Sequence, residues 1–339
     1  MAFSVRTKAP LPPSIRRWMV AIVLFAVLPM LAFALLVGRT LVEQQRAELH
    51  AELQNASDVA ARELAREVRV MFATLDTLAA SDVALRADYA ALHAQASRVV
   101  ALMPRIGSIA GVDLDGVRRF STLTPFTVTL PPSALAEFDQ RVIRTGQKQI
   151  SPLVSGSISG KKSISFAVPV KQGDKVIMAL RLAMWSDAIG EVVYEQRWPA
   201  SWQAGVVDQS NTIIARATDA ARYVGQPATD RVKTAISAGT RGPFALLGRD
   251  NAHLTGTLSA VPGTEWHVIT AAPSTALDAH VRSALSPLLW IGMLCTLLSV
   301  VGAWFVARAL RQQIQQIEDD ARAKLAAVAD TAIVHRVEK

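Results

Sequence analysis

The chain has 339 residues, 51% of them hydrophobic, with a mean hydropathy of +0.26, a net charge of +8 and one cysteine. Such hydropathy exceeds that of a wholly water-soluble chain, and one cysteine excludes a disulfide scaffold. The positive balance does not point to nucleic acid, because part of it flanks apolar runs and no basic stripe with interleaved aromatics accompanies it.

Arg6, Lys8, Arg16 and Arg17 precede an uncharged apolar run at 18–37. Its five Leu, four Val, two Phe and one Ile favour membrane insertion by roughly 4–7 kcal/mol. About 20 such residues cross a bilayer as a helix, which alone satisfies every backbone group where water is absent; Pro29 is tolerated there. Ala32-Phe33-Ala34 resembles a signal-peptide cleavage site, but the run is long for that role and a helical pattern follows directly, so it reads as an uncleaved anchor. A second uncharged run, 283–307, contains Cys295 and is followed by Arg308 and Arg311. The crossings are placed at 18–37 and 287–307. Basic flanks put residues 1–17 and 308–339 in the cytoplasm and 38–282 outside, in the periplasm of a bacterial cell.

Beyond the first crossing, Leu49, Leu53, Ala60, Leu64, Val68, Met71, Leu75 and Leu78 recur mostly at threes and fours, one face of a helix of about eleven turns. Ser81-Asp82 breaks it. Leu85, Tyr89, Leu92, Ala96, Val99 and Met103 predict a second helix of about six turns, stopped by Pro104. These make a helical stalk over 38–104.

From 105 the pattern becomes strands and turns. Strands are expected at 106–112 and 117–122 around the turn Asp113-Leu114-Asp115-Gly116, a helix at 133–145, and strands at 148–154, 162–170 and 176–184. The order then repeats: a short helix at 186–195, strands at 202–208 and 212–217, a helix at 230–237, and strands at 242–247, 254–260 and 265–270. The fold class is therefore α+β: two tandem antiparallel-sheet modules, 105–185 and 186–273, on a long N-terminal helix between two transmembrane helices. A helix at 274–286 leads to the second crossing. Leu310, Ile314, Ile317, Ala321, Leu325 and Val328 predict a cytoplasmic signalling helix at the end of the chain.

This layout resembles the double Cache sensor region, with its two PAS-like halves, of bacterial transmembrane receptors and sensor histidine kinases. The resemblance covers about 40–289. It rests on the order of the elements and on local echoes: Gly111-Val112-Asp113-Leu114-Asp115-Gly116, Gly205-Val206-Val207-Asp208 with Ile213-Ile214-Ala215-Arg216, and Gly263-Thr264-Glu265-Trp266-His267-Val268. It implies a small-molecule ligand, usually held in the membrane-distal half. Amino-acid binders of this kind carry an Arg-x-x-Trp-Tyr grouping and an aspartate on the last distal strand. Residues 120–139 lack the grouping, and Ala183 stands where the aspartate is expected. The candidate ligand residues are Arg118, Arg119, Arg141 and Arg181, which can fork onto a carboxylate or phosphate, and the hydroxyls of Ser151 and Ser165.

Other motifs carry less. Gly156-Ser157-Ile158-Ser159-Gly160-Lys161-Lys162-Ser163 is mis-spaced for a phosphate loop and reads as a hairpin loop. Asp113-Leu114-Asp115-Gly116 is too short for a calcium loop. His50, His93, His253, His267, His280 and His335 form no close pair at metal-ligand spacing, so neither metal nor cofactor is expected. Trp266 reads as core. His335-Arg336-Val337 faintly echoes a kinase phosphoacceptor box, and the expected proline of a HAMP module is missing.

The chain therefore reads as a non-enzymatic two-pass sensor of the bacterial inner membrane. Its expected partners are a small periplasmic ligand, a second copy of itself through the long helix, and a cytoplasmic listener. The alternatives are the sensor portion of a histidine kinase or diguanylate cyclase, and a non-signalling membrane scaffold with a vestigial Cache domain.

Overall fold

The computed structural model describes residues 13–195, 198–199, 201–240, 242–248 and 251–274, with scattered helical residues between 286 and 312. It divides into two units, residues 46–277 and a second comprising 1–45 with 278–339.

Helix α1 (Pro13–Ala79) is continuous, with Pro29 inside it. Within the first unit its periodic face is buried: Leu53, Ala60, Leu64, Met71 and Leu75 have no exposed surface. The stalk then departs from the expected second helix. Ser81 caps a single turn, α2 (Asp82–Leu85), by accepting from the Ala84 N–H. Ala87 turns left-handed at φ 52°, and the Asp88 carboxylate caps α3 (Tyr89–Leu102) through the Ala91 N–H. The apolar stripe spans this break because the first turn of α3 resumes on the same side. A stripe alone therefore does not reveal the interruption.

The first sheet contains β1 (Ile106–Val112), β2 (Arg118–Ser121), β3 (Gln149–Ile150), β4 (Val154–Ser155), β5 (Lys162–Gln172) and β6 (Lys175–Trp185). Its order is β2-β1-β6-β5-β3, with β4 beside β5, and every pairing is antiparallel. Helix α4 (Ala136–Thr145) lies between β2 and β3 in sequence. The strand expected at 148–154 is two short pieces, because Ser151-Pro152 interrupts the ladder where proline has no N–H to give. Pro169 sits on β5 past the two residues that β3 covers, where a missing donor costs little.

After α5 (Ser186–Tyr194) the second sheet repeats the plan with β7 (Gln203–Val207), β8 (Ile213–Arg216), β9 (Phe244–Leu247), β10 (His253–Ala260) and β11 (His267–Pro273), ordered β8-β7-β11-β10-β9. Helices α6 (Ala220–Tyr223) and α7 (Asp230–Ser237) fall between β8 and β9; α6 has no counterpart in the sequence reading. The opening hairpins share one device. Asp113 Oδ1 accepts from the N–H groups of Asp115 and Val117, and Asp208 Oδ1 from those of Ser210 and Thr212. The left-handed residue of each turn is Gly116 (φ 79°) or Asn211 (φ 58°), residue types that tolerate that region.

One core runs through both sheets. Phe72 of α1 meets the ring of Phe166 of β5 edge-on at 5.5 Å, and Phe166 meets Trp266 at 6.1 Å. Polar ties fix α1 to the second sheet: Ser57 Oγ donates to the Val268 carbonyl, Thr270 Oγ1 to the Leu53 carbonyl, and Ser259 Oγ to Asp58. At Gly111 a Cβ would lie 2.3 Å from the buried Phe120 ring. Gly111→Ala should therefore lose about 1–3 kcal/mol by overpacking, read as a lower midpoint in urea unfolding. An unchanged midpoint would show that the ring gives way freely.

Among the described residues, no helix is long and apolar enough to cross a membrane. Residues 18–37 lie within α1, and the run at 287–307 lies only partly within the described residues. Residues 275–285 and 313–339, including most of the helix expected at 274–286, most of the signalling stripe and His335, lie outside them.

Candidate functional site

The first sheet has two different faces. One packs on α1 and α3. The other carries α4 at one end, through Leu135, Phe138 and Val142 against Ala167 and Ala179. Beside α4 this second face is hollow, because the residues that line up across the strands are small apart from Arg181. Ser108, Ala183 and Ser165 are register partners across β1, β6 and β5, and Ser121, Ala110, Arg181 and Ala167 form the next row. The hollow measures about 500 Å³ counting its mouth. Its rim is Ser155 at the end of β4 and the loop from there to β5, with Ser157 and Ser159, together with Leu123 and Ser133 from the segment before α4. Trp185 closes one end. Its indole lies so close to β1 that a Cβ on Gly107 would sit 2.3 Å from the ring, and the Lys161 ammonium lies 5.7 Å from the ring centre.

Three charges occupy the hollow or its immediate wall. Arg181 Nη1 donates to Asp139 Oδ2 at 2.5 Å and to Ser133 Oγ at 3.2 Å. This pair is deeply buried, with side-chain exposures of 8% for Arg181 and 0% for Asp139, so water does little to screen it. Burial pushes the Asp139 carboxyl above its ordinary range, against the opposing pull of Arg181 and Arg118. Arg118 Nη2 donates to the Pro131 carbonyl at 2.6 Å and to Ser157 Oγ at 3.3 Å, holding two rim segments together. Burial, reinforced by the neighbouring Arg181, lowers the Arg118 pKa. Two guanidiniums thus share the site with one carboxylate. The Arg118 Nε donor and the Asp139 Oδ1 acceptor are buried without a hydrogen-bond partner among the described residues.

Of the six residues singled out in the sequence, the structure brings Arg118, Arg181 and Ser165 into this hollow. The others lie elsewhere. Arg119 pairs with Asp113 on the hairpin turn. Ser151 is fully buried, donating to the Pro152 carbonyl and accepting from the Ser165 N–H. Arg141 lines a wide cleft with Lys148, Gln149 and Glu265. Sequence reasoning passed over Asp139, Ser108, Ser133 and Trp185. It also treated the 156–163 stretch only as a hairpin loop. It is one, closed by the Gly156 N–H on the Lys161 carbonyl, yet it also walls the hollow. Asp139 had a visible signal: it sits on the stripe Leu135, Phe138, Val142, where a charge is out of place unless paired. Among the described residues, no group of three or more His, Cys, Asp or Glu side chains could hold a metal ion.

No protein-family model matches the chain, and no curated protein matches it in sequence. Solved structures do match. The ligand-binding domain of the Pseudomonas aeruginosa PAO1 amino acid chemoreceptor PctB, in complex with L-Arg, superposes with a TM-score of 0.55 at 12% identity, covering 68% of this chain and 97% of that one. The ligand-binding domain of the Pseudomonas fluorescens chemoreceptor CtaA, in complex with L-isoleucine, gives 0.54 at 11% identity over 70% of this chain and 98% of that one. The extracellular domain of rpHK1S-Z16, a protein assigned as a histidine kinase, gives 0.54 at 12% identity over 67% and 95%. Identities this low speak for the fold alone. With its long helix, its two sheets of matching strand order and these neighbours, the chain has the tandem Cache-like fold of extracellular sensor domains.

Proposed function

We propose that this chain is a two-pass membrane sensor whose outer region binds a small organic anion of the hydroxy-acid or dicarboxylate class in the hollow of the first sheet. One observation carries the ligand class: Arg118 and Arg181 share that site with Asp139 as its one carboxylate. The excess positive charge attracts an anion, and the guanidinium fork matches a carboxylate. Eight of the lining residues are serines, which suit a ligand carrying hydroxyls or further carboxylate oxygens. The PctB and CtaA neighbours bind amino acids. Here Ala183 lines the hollow and the charge of Asp139 is already offset by Arg181, so an α-ammonium group finds no uncompensated carboxylate.

Support for the membrane reading comes from the two uncharged runs and from bare apolar side chains along them. Leu36 is 64% exposed and Trp290 68% exposed, which water disfavours and lipid does not. Support for transmission comes from bonds between the rim of the hollow and the second module. Lys162 donates to the Val224 carbonyl, and the Leu153 N–H to Asp208 Oδ2. A ligand that moves the 154–163 segment therefore pulls directly on the second module. Signalling in this scheme is a difference in ligand affinity between two arrangements.

The test is thermal unfolding of the full chain in detergent micelles with malate, succinate, L-serine or L-isoleucine. Malate or succinate should raise the melting temperature, by the equivalent of about 2.7 kcal/mol at a hundredfold excess over Kd. Arg118→Gln should weaken that binding by about tenfold or more, since a charge-assisted pair is lost. Stabilisation by the amino acids with none by the acids would overturn the ligand class.

A further inference from the structure

The second sheet has a hollow of its own, on the face turned away from α1. It measures about 570 Å³ counting its mouth. Small residues explain it: Gly205 of β7 and Ala271 of β11, diagonal neighbours on adjacent strands, leave the floor low. Ile269, Val232 of α7 and Leu246 of β9 wall it. The lining differs from that of the first hollow, because it is mostly apolar and contains no serine. A single charge, Arg216, stands among the lining residues. Arg216 Nη2 donates to Gln203 Oε1 at 3.0 Å, and its guanidinium lies 4.4 Å from the centre of the Tyr223 ring. Among the described residues, Gln203 and Tyr223 thus hold the head group in a preset position, which lowers the entropy lost when an anion docks. Thr229 stands at the cap position of α7 without capping it, and its Oγ1 is buried with no hydrogen-bond partner among the described residues.

We propose that this hollow is a second binding site, for a compact apolar monocarboxylate of the aryl-acetate or branched short-chain type. The apolar walls would take the body of the molecule, Arg216 its carboxylate and Thr229 a further oxygen contact. An apolar pocket with few fixed polar groups is the usual form of a small-molecule site. The chain would then read two classes of acid, polar in the first module and apolar in the second. This proposal stands on its own lining and does not depend on the ligand of the first module.

The experiment is calorimetric titration of the full chain in lipid nanodiscs with phenylacetate, and with phenylacetamide as its uncharged counterpart. Phenylacetate should bind, and phenylacetamide about tenfold more weakly, or worse, for loss of the charge. Arg216→Met and Ala271→Leu should each weaken phenylacetate about tenfold, by removing the charge and by filling the floor. Either change could disturb folding, so Thr229→Val, nearly isosteric, serves beside them and should weaken binding about threefold while keeping the melting temperature. Arg118→Gln in the first module should leave phenylacetate binding unchanged. Absence of phenylacetate binding at millimolar concentration overturns the proposal. So does binding that survives Arg216→Met and Thr229→Val, or that is lost only in Arg118→Gln, which would assign the compound to the first hollow.

Discussion

Asp139→Ala should destabilise the protein by about 3–5 kcal/mol, the cost typical of stranding one member of a buried ion pair. Arg181 cannot shed its proton, so the change leaves a guanidinium in a site where its side chain is only 8% exposed. Arg118 nearby adds repulsion that Asp139 now offsets. Urea unfolding of Asp139→Ala, Arg181→Met and the double variant measures this. The double variant should recover most of the loss, because no charge is then left unpaired between α4 and β6. Additive losses would show that the pair itself matters less than packing around it.

The two single variants should also differ with pH. Burial already lifts the Asp139 pKa in the folded state above its ordinary value. A raised carboxyl pKa means the folded state holds the proton more tightly than the unfolded state, so stability from this group is lost as pH rises through the folded pKa and regained as pH falls. Removing Arg181 takes away the main influence that lowers this pKa, so the rise becomes larger. The deficit of Arg181→Met should therefore shrink on acidification from about pH 7 toward about pH 4.5, while that of Asp139→Ala should not. Parallel pH profiles would refute the assignment.

Trp266→Ala should cost a similar amount, about 3–5 kcal/mol, by opening a cavity the surroundings cannot close. The indole is 1% exposed, and its Nε1 donates to Gln209 at 3.3 Å. It sits in the core that joins both sheets to α1, against Phe166, which in turn meets Phe72. The melting temperature should fall by roughly 6–20 °C for a unit of this size. Because that core is shared, both modules should lose stability in one transition. Far-ultraviolet circular dichroism and the fluorescence of the remaining tryptophans should report the same midpoint; two separated midpoints would mean that the modules melt independently and that Trp266 serves only one.

Much of the fold was legible in the sequence because local chemistry wrote it there. Asp113 and Asp208 each close a hairpin with bonds to residues two and four further along the chain, so the turns need no distant partner. The strand β1 and the helix α7 match their sequence-predicted bounds, since Pro104 and the turn Asp113-Leu114-Asp115-Gly116 bracket the one and helical spacing marks the other. The repeat of strand order follows from the same local signals taken twice. Where reading failed, two local signals competed. The stripe through Leu85 and Tyr89 concealed the left-handed Ala87 and the Asp88 cap, and an apparently continuous strand at 148–154 concealed the break at Ser151-Pro152.

The site was legible only in fragments. Arg118, Arg181 and Ser165 could be picked out as residues able to grip an anion, but Arg119 and Arg141 had equal standing on composition alone. Tertiary structure separated them. Antiparallel register set Ser108, Ala183 and Ser165 side by side; α4 delivered Asp139 to Arg181 across 42 residues of chain; and Arg119 was drawn to its own hairpin turn. Local patterning determines which segments become strands, turns and helices, since those choices depend on neighbours along the chain. Which charges meet, and where small residues leave a sheet hollow, depends on strand pairing between distant segments, so the two hollows were decided only when the strands paired into sheets.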